Sequence, residues 1–176
     1  MEKYFFTGLI GLWLAVFSAA GLADSKAFKI EVVVFAQDQP TSEVLDQLES
    51  EIDWPRRLAD LNNYPQVDPQ YISLNGISAK LRRTAGYRPL LHVAWTQEVP
   101  ADSIGTAVQL QNPSGSLNGF IRIQRGHYLY LIADMEYNPT GSLYYRLDEK
   151  RRIKLNEIHY LDHPKFGIIA RVTPLS

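Results

Sequence analysis

LNGFIRIQRGHYLYLIADMEY, residues 117–137, consists of two apolar runs on either side of the pair Arg125-Gly126. In the first run Arg122 stands between Ile121 and Ile123, so apolar and polar side chains alternate with period two. Such alternation is typical of a strand with one buried face, and a short connection that contains glycine is typical of a hairpin. We therefore predict an antiparallel hairpin with strands over residues 117–124 and 127–137.

The same pattern continues on both sides of this hairpin. Further strands are predicted over residues 87–97, 107–111, 143–153, 156–161 and 166–173, with turn signals at 112–115, 138–141 and 163–164. Short connections join antiparallel neighbours, so these strands are expected to follow one another in a meander. Residues 28–35 end in the wholly apolar run 32–35, which is typical of an interior strand covered on both faces.

Two helices are predicted before the strand at residue 87. Residues 41–52 place Val44, Leu45, Leu48 and Ile52 on one stripe at helical spacing. A second, shorter helix contains Leu74, Ile77 and Leu81, with Ser73 as its cap and Gly86 at its end. Proline-rich residues between them indicate a loop. The predicted fold class is α+β: an antiparallel β-sheet meander with two N-terminal helices packed on one face.

Residues 1–23 have the features of a secretory signal peptide. Residues 4–22 are almost entirely apolar, and small residues precede a cleavage site after Ala23, with cleavage after Ala20 or an uncleaved anchor as alternatives. The chain has no cysteine, which excludes both a lipid-attachment cysteine and disulfides. Residues 24–176 are then expected to form a single domain that is soluble in the periplasm, without stable membrane insertion.

The charge balance argues against some classes of partner. The 18 Lys and Arg residues nearly offset the 19 Asp and Glu residues, so no overall field would attract nucleic acid or an anionic membrane. Motifs for a serine nucleophile elbow, a phosphate loop or a zinc peptidase are absent from the sequence. We therefore predict no catalytic residue, no resident metal and no cofactor.

EIHYLDHP, residues 157–164, holds half of the four histidines of the chain. His159, Asp162 and His163 could supply metal ligands, or a base with its orienting carboxylate. The alternating pattern and Pro164 favour a strand and a turn over a helix, which favours a structural role for the histidines. Both interpretations stay open from the residues themselves.

The same block resembles a known family. Residues 159–164, HYLDHP, followed by Phe166-Gly167 and a last strand ending in Thr173-Pro174, resemble the C-terminal signature of the CsiV family of periplasmic peptidoglycan-binding proteins. Three further segments agree: IEVVVF at 30–35, GYRPLLHVAWTQ at 86–97 and GHYLYL at 126–131. The signature residues are His159, Tyr160, Asp162, His163 and Pro164.

The resemblance implies a function but not a site. It implies a non-enzymatic protein that binds peptidoglycan and assists cell-wall synthesis, acting with an outer-membrane lipoprotein that activates a penicillin-binding protein. It implies no active-site residues. Two alternatives stand beside it: a periplasmic metal-dependent hydrolase that uses His159, Asp162 and His163, and a pure protein–protein adaptor that does not contact glycan.

Strand alternation suggests where peptidoglycan could bind. Each candidate arginine opposes apolar neighbours on its strand, so a row of arginines would line one sheet face if the strands align. Guanidinium groups bind the carboxylates of stem peptides, and tyrosine rings stack on sugars. The alternative is that the arginines pair with acidic residues across the strands. The predicted ligand-binding residues are Arg88, His92, Arg122, Tyr128, Tyr130 and Arg146.

Overall fold

The strands of this chain form two sheets that share one core. The fold is seen in a computed structural model, which describes residues 24–38 and 48–175. The strands are β1 (Ser25–Gln37), β2 (Leu58–Asp60), β3 (Tyr87–Pro100), β4 (Ser103–Ile104), β5 (Ala107–Gln111), β6 (Leu117–Arg125), β7 (Leu129–Tyr137), β8 (Tyr145–Ile153), β9 (Ile158–His163) and β10 (Phe166–Pro174). One α-helix, α1 (Asn75–Arg83), and two short 3-10 turns (Leu61–Asn63 and Pro69–Tyr71) lie between β2 and β3.

The first sheet has the strand order β3-β1-β10-β9, and all its pairs are antiparallel. β1 lies in the interior of this sheet, between β3 and β10, which confirms the prediction made from its apolar run. The second sheet has the order β2-β5-β6-β7-β8, and β4 pairs with β6. In this sheet β5 to β8 form the predicted meander, whereas β2 pairs with β5 in parallel.

The core lies between the two sheets. Side chains from alternate positions of β1 and β10 on one side, and of β6 and β7 on the other, form one buried cluster. It includes Ile30, Val32, Ile168, Ile121 and Leu131, each fully buried. Burial of this apolar surface is the main stabilising term of the fold. The face that each sheet turns away from the core is called its outer face below.

The single meander of the prediction is therefore wrong in one respect. The last two strands do not continue the second sheet, because β10 pairs with β1 over nine aligned positions, Phe28 to Ala36. β1 and β10 lie at opposite ends of the chain, and neither short loops nor local periodicity indicate such a pairing.

The helices also differ from the prediction. α1 confirms the second helix, but the residue before it, Leu74, occupies the cap position without a side-chain hydrogen bond. Ser73 instead donates its backbone N–H to the buried carboxylate of Glu31 at 2.6 Å. α1 packs on β3, on the outer face of the first sheet.

Of the first predicted helix, residues 41–47 lie outside the described residues, and residues 48–52 are not helical. The backbone N–H groups of Glu51 and Asp53 donate to the carboxylates of Glu136 and Asp134, at 2.6 and 2.9 Å. These donors therefore bind the outer face of the second sheet instead of forming helical bonds. Residues 50–57, called the strap below, follow that face.

The predicted signal peptide, residues 1–23, also lies outside the described residues. Among residues 24–38 and 48–175, no helix is long and apolar enough to span a bilayer.

Candidate functional site

Two of the predicted ligand-binding residues on β3, Arg88 and His92, do not share a face of that strand, although regular alternation four residues apart would place them together. Val34 pairs with Leu91, but the next residue of β1, Phe35, pairs with Pro89. Leu90 is therefore an extra residue in β3, which forms a β-bulge. One inserted residue reverses the alternation of side chains beyond it. Arg88 consequently lies opposite the buried Ala36, and its Nη2 donates to the Tyr137 hydroxyl of the second sheet at 2.7 Å.

His92 lies on the outer face of the first sheet, in the half-covered layer next to α1. Its Nε2 is buried and has no hydrogen-bond partner among the described residues. Burial lowers the pKa of His92 below its usual 6.5; the Glu31 carboxylate raises this pKa and the Arg82 guanidinium lowers it. The lowered pKa favours the neutral imidazole, which lies beside α1 and away from the other candidate residues.

Arg146 lies on the outer face of the second sheet but is already occupied. Its Nε and Nη2 donate to the two carboxylate oxygens of Asp134, both at 2.8 Å. Asp134 is only 2% exposed, and its hydrogen bonds raise the pKa of Arg146. The Nη1 of Arg146 also lies 3.8 Å from Oε2 of Glu51. This pairing corresponds to the alternative in which arginines bind acidic residues across the strands.

The other candidates come together on the same outer face, beyond the strap. The register aligns Arg122 with Ile132 and Lys150 in one row, and Gln124 with Tyr130 and Arg152 in the next. Side chains at every second position of a strand share a face, so these residues lie on the outer face. We call this surface the cation–tyrosine patch; its residues are Arg122, Gln124, Tyr128, Tyr130, Lys150 and Arg152.

Two cations of the patch lie over tyrosine rings. Lys150 Nζ is 4.8 Å from the centroid of the Tyr130 ring, and Arg152 Cζ is 3.3 Å from that of Tyr128. Such cation–π contacts hold a charge in place without neutralising it. Tyr128 stays accessible, since it is 39% exposed, and Tyr130 is partly exposed.

Arg122 and Gln124 add unused hydrogen-bonding groups. The Nε of Arg122 and the Oε1 of Gln124 are buried and have no hydrogen-bond partner in the described structure. Among residues 24–38 and 48–175, none of the ion pairs includes Arg122, Lys150 or Arg152. A buried donor without a partner is unfavourable, so an acceptor from a ligand would stabilise this site. The patch therefore has the chemistry to bind carboxylates.

The strap borders the patch. Its Ile52 is buried against Ala107 and Phe120, and the Trp54 ring lies 6.1 Å from the Phe120 ring. Trp54 is 40% exposed, so its ring adds an accessible aromatic surface next to Arg122, whose Cζ lies 5.7 Å from the same Phe120 ring.

Comparison with known proteins identifies the family of the chain. Residues 46–175 match the family model described as Peptidoglycan-binding protein, CsiV. The chain belongs to the CsiV family. The resemblance drawn from the sequence is thereby confirmed over the matched residues, which do not include the segment 30–35. A search of curated proteins found no match, and neither did a search of solved structures.

The side chains of the CsiV signature block, residues 159–164, bind to neighbouring parts of the fold. Asp162 pairs with Gly167 and His163 with Phe166, so the two side chains lie on opposite faces of β9. Asp162 accepts hydrogen bonds from the Tyr160 hydroxyl and from Gln37 Nε2. Burial, followed by the Asp162 hydrogen bond, raises the pKa of Tyr160.

The two histidines of the block contact the turns at the ends of β9. His159 Nε2 lies 3.1 Å from the backbone N and O of Lys154. His163 Nδ1 accepts from the Lys165 N–H at 3.2 Å. Within the described residues no group of three or more His, Cys, Asp or Glu side chains is placed to hold a metal ion. The alternative of a metal site at His159, Asp162 and His163 therefore has no geometric support.

Lys150 and Arg152 were absent from the predicted site residues. The sequence contains a signal that could have included them, because Lys150 and Arg152 are two residues apart on a predicted strand and share a face. What local pattern could not supply is the register that places them beside Tyr130 and Tyr128.

Proposed function

We propose that this protein binds peptidoglycan in the periplasm, without catalysing a reaction, and that the cation–tyrosine patch is the binding surface. The family description supports the ligand. The observation that carries the location is a group of three cations on one face, Arg122, Lys150 and Arg152, among tyrosine rings. None of the three forms an ion pair within residues 24–38 and 48–175. Binding by Arg88, His92 and Arg146 stays a prediction that this geometry does not favour.

The chemistry of the patch matches that of a muropeptide. Stem peptides carry carboxylates, which accept charge-assisted hydrogen bonds from guanidinium and ammonium groups. Sugar rings and N-acetyl groups pack against aromatic side chains, here Tyr128, Tyr130 and Trp54. A patch with both kinds of group can contact the peptide and the glycan of one strand.

The resemblance to the CsiV family also suggests a role in cell-wall synthesis. We propose that the protein assists cell-wall synthesis together with an outer-membrane lipoprotein that activates a penicillin-binding protein. Export requires the signal peptide, with cleavage after Ala23. A chain that begins at Asp24 keeps the contacts of that residue, since Arg125 donates to the Asp24 carboxylate at 2.6 Å and to its carbonyl at 2.7 Å.

Co-sedimentation of residues 24–176 with purified sacculi tests the binding proposal. We expect pelleting that weakens as salt rises, because exposed charges are screened. The double variant Lys150→Ala and Arg152→Ala should weaken the apparent affinity about tenfold or more, as expected when two charge-assisted hydrogen bonds are lost. No soluble muropeptides should be released.

A charge-matched control separates the patch from net charge. Lys26→Ala with Arg83→Ala removes two exposed cations from the β1 and α1 side of the molecule and should pellet like the parent protein. Equal pelleting by the patch variant and this control, both folded, would show that the patch is not the binding surface.

A further inference from the structure

A groove lies on the side of the molecule opposite the patch. It runs along the outer face of the first sheet, between α1 and the strands β9 and β10, and has a volume of about 460 Å³. α1 packs on β3, at one side of the groove, and the exposed Ile158 and Tyr160 of β9 lie at the other side. The groove is lined mainly by apolar side chains, namely Phe35, Ile77, Leu81, Ile158, Tyr160 and Ile169.

The open wall of the groove exposes apolar side chains. Ile158 is 54% exposed and Tyr160 is 40% exposed, and both lie on β9. Among the described strands β9 pairs only with β10, so it is an edge strand. An accessible apolar patch on a sheet edge, rimmed by polar groups, is typical of a protein interaction site.

The helical wall of the groove carries one cation, and two more follow it outside the lining. Lys80 lines the groove, and Arg82 and Arg83 follow it in the last turn of α1. The helix sequence NGISAKLRR contains no acidic residue, and none of these three cations takes part in an ion pair within residues 24–38 and 48–175. Their position complements the helix dipole and leaves their charge available to a partner.

From this combination we infer that the groove docks an acidic amphipathic segment of a protein partner. The apolar side chains of the segment would cover Ile158, Tyr160 and Ile169, and its carboxylates would pair with the cations of α1. An apolar floor offers few partners to sugar hydroxyls, whereas an apolar groove with a charged wall is how proteins bind amphipathic segments. Charge complementarity selects an acidic segment over a basic one.

The inference is independent of peptidoglycan binding at the patch. The patch lies on the outer face of the second sheet and the groove on the outer face of the first, with the shared core between them. The protein could therefore bind a glycan strand of peptidoglycan on one side and a partner protein on the other.

Peptide display on residues 24–176 tests the inference with defined probes. Selection from short random peptides should enrich sequences that combine Leu, Ile or Phe with Asp and Glu. The best enriched peptide, measured by fluorescence anisotropy, should bind Ile158→Asp about tenfold more weakly or worse, as expected for a central apolar contact. Leu155→Asp, at an exposed apolar residue in the turn before β9, is the matched control and should bind normally.

A charge reversal provides a second test that does not change the apolar floor. Lys80→Glu with Arg83→Glu alters two exposed helix residues and should shift the selection from acidic to basic peptides. Sacculus pelleting should be unchanged in Ile158→Asp and in the charge-reversed variant, so a failure of the groove is distinguishable from a failure of the patch.

Three outcomes would overturn the inference. The first is that the peptides enriched on the parent protein carry no acidic bias, and the second is that the best peptide binds Ile158→Asp as tightly as it binds Leu155→Asp. Alternatively, no peptide would be enriched while dodecanoate bound the parent protein and not Ile158→Asp, which would assign the groove to a lipid chain.

Discussion

Asp134 and Arg146 illustrate how a buried carboxylate controls an arginine on a sheet face. Asp134 accepts both guanidinium hydrogen bonds and, in addition, the backbone N–H of Asp53. The pair thus connects β7 and β8 to the strap. The charge of Arg146 is paired with the buried Asp134 carboxylate and stabilises the fold. The charge of Arg152 lies over the Tyr128 ring and is accessible.

Replacing Arg146 should therefore change stability and not binding. Arg146→Ala leaves the Asp134 carboxylate buried without its ionic partner, which should lower the free energy of unfolding by about 3 kcal/mol. Urea denaturation measures this loss, and the folded fraction should still pellet with sacculi. Arg152→Ala is the converse control, with a change in stability below about 0.5 kcal/mol and weaker pelleting. Equal stabilities of the two variants would contradict this division of roles.

Gly119 is required where β6 and β7 approach each other. Its φ of +149° is unfavourable for other residues, and an added Cβ would lie 2.3 Å from the Asp134 carbonyl oxygen and 2.6 Å from the Met135 Cα. Gly119→Ala should lower the free energy of unfolding by about 3 kcal/mol or more, since the clash is with backbone.

Gly76 provides the matched control for this substitution. A Cβ there meets nothing within 4 Å, and the residue lies in α1. Gly76→Ala should raise the free energy of unfolding by about 0.5 to 1 kcal/mol, because alanine is the better helix former. Thermal melts of the two variants give the comparison, and similar melting temperatures would show that the close approach at Gly119 is not required.

Among the elements, α1 and the first sheet enclose a polar layer. His92, Glu31 and Ser78 lie beneath or within the helix, and each has a buried side-chain atom that finds no hydrogen-bond partner in the part of the chain that the structure describes. Glu31 is fully buried between Ala94 of β3 and Arg171 of β10, with Lys29 Nζ at 3.5 Å. We expect the packing of α1 on this layer to depend on the protonation of His92.

We expect stability to fall as the pH falls below about 6.5. Burial lowers the pKa of His92, so just below its usual value of 6.5 the unfolded chain binds more protons at this site than the folded chain. The free energy of unfolding then rises with pH across that window, from the lowered pKa up to about 6.5. Glu31 opposes the shift and Arg82 reinforces it.

His92→Gln removes this titrating group and should flatten the dependence between pH 8 and pH 5, measured by urea denaturation at each pH. The parent protein should lose stability over the same range. An unchanged slope in the variant would assign the pH dependence to other groups.

For the molecule as a whole, the arrangement of two outer faces predicts simultaneous binding. A labelled peptide selected for the groove should sediment with sacculi only when the protein is present, because the protein would bridge them. Ile158→Asp should reduce sedimentation of the peptide but not of the protein, and Lys150→Ala with Arg152→Ala should reduce both.

Competition would contradict that arrangement. If the selected peptide released the protein from sacculi, the two ligands would share one surface or depend on incompatible conformations. If the sites are independent, the effects of the groove and patch variants on each ligand should add, as expected for distant residues.

Much of the fold follows from local pattern in the sequence. The alternation around Arg122, the turn at Arg125-Gly126 and the helical spacing of Ile77 and Leu81 correctly predicted β6, β7 and α1. Periodicity is sufficient for this, because it reports which residues of one element share a face. The family signature in residues 159–164 likewise identified the family from the sequence.

The site depended on contacts between distant parts of the chain. The β-bulge opposite Val34 turned Arg88 away from His92, Asp134 took Arg146 as its partner, and strand register placed Lys150 and Arg152 beside the tyrosines. Pairing of β1 with β10 likewise separated one meander into two sheets. Local sequence specifies the faces of each strand, whereas tertiary pairing determines which faces meet and which charges remain unpaired.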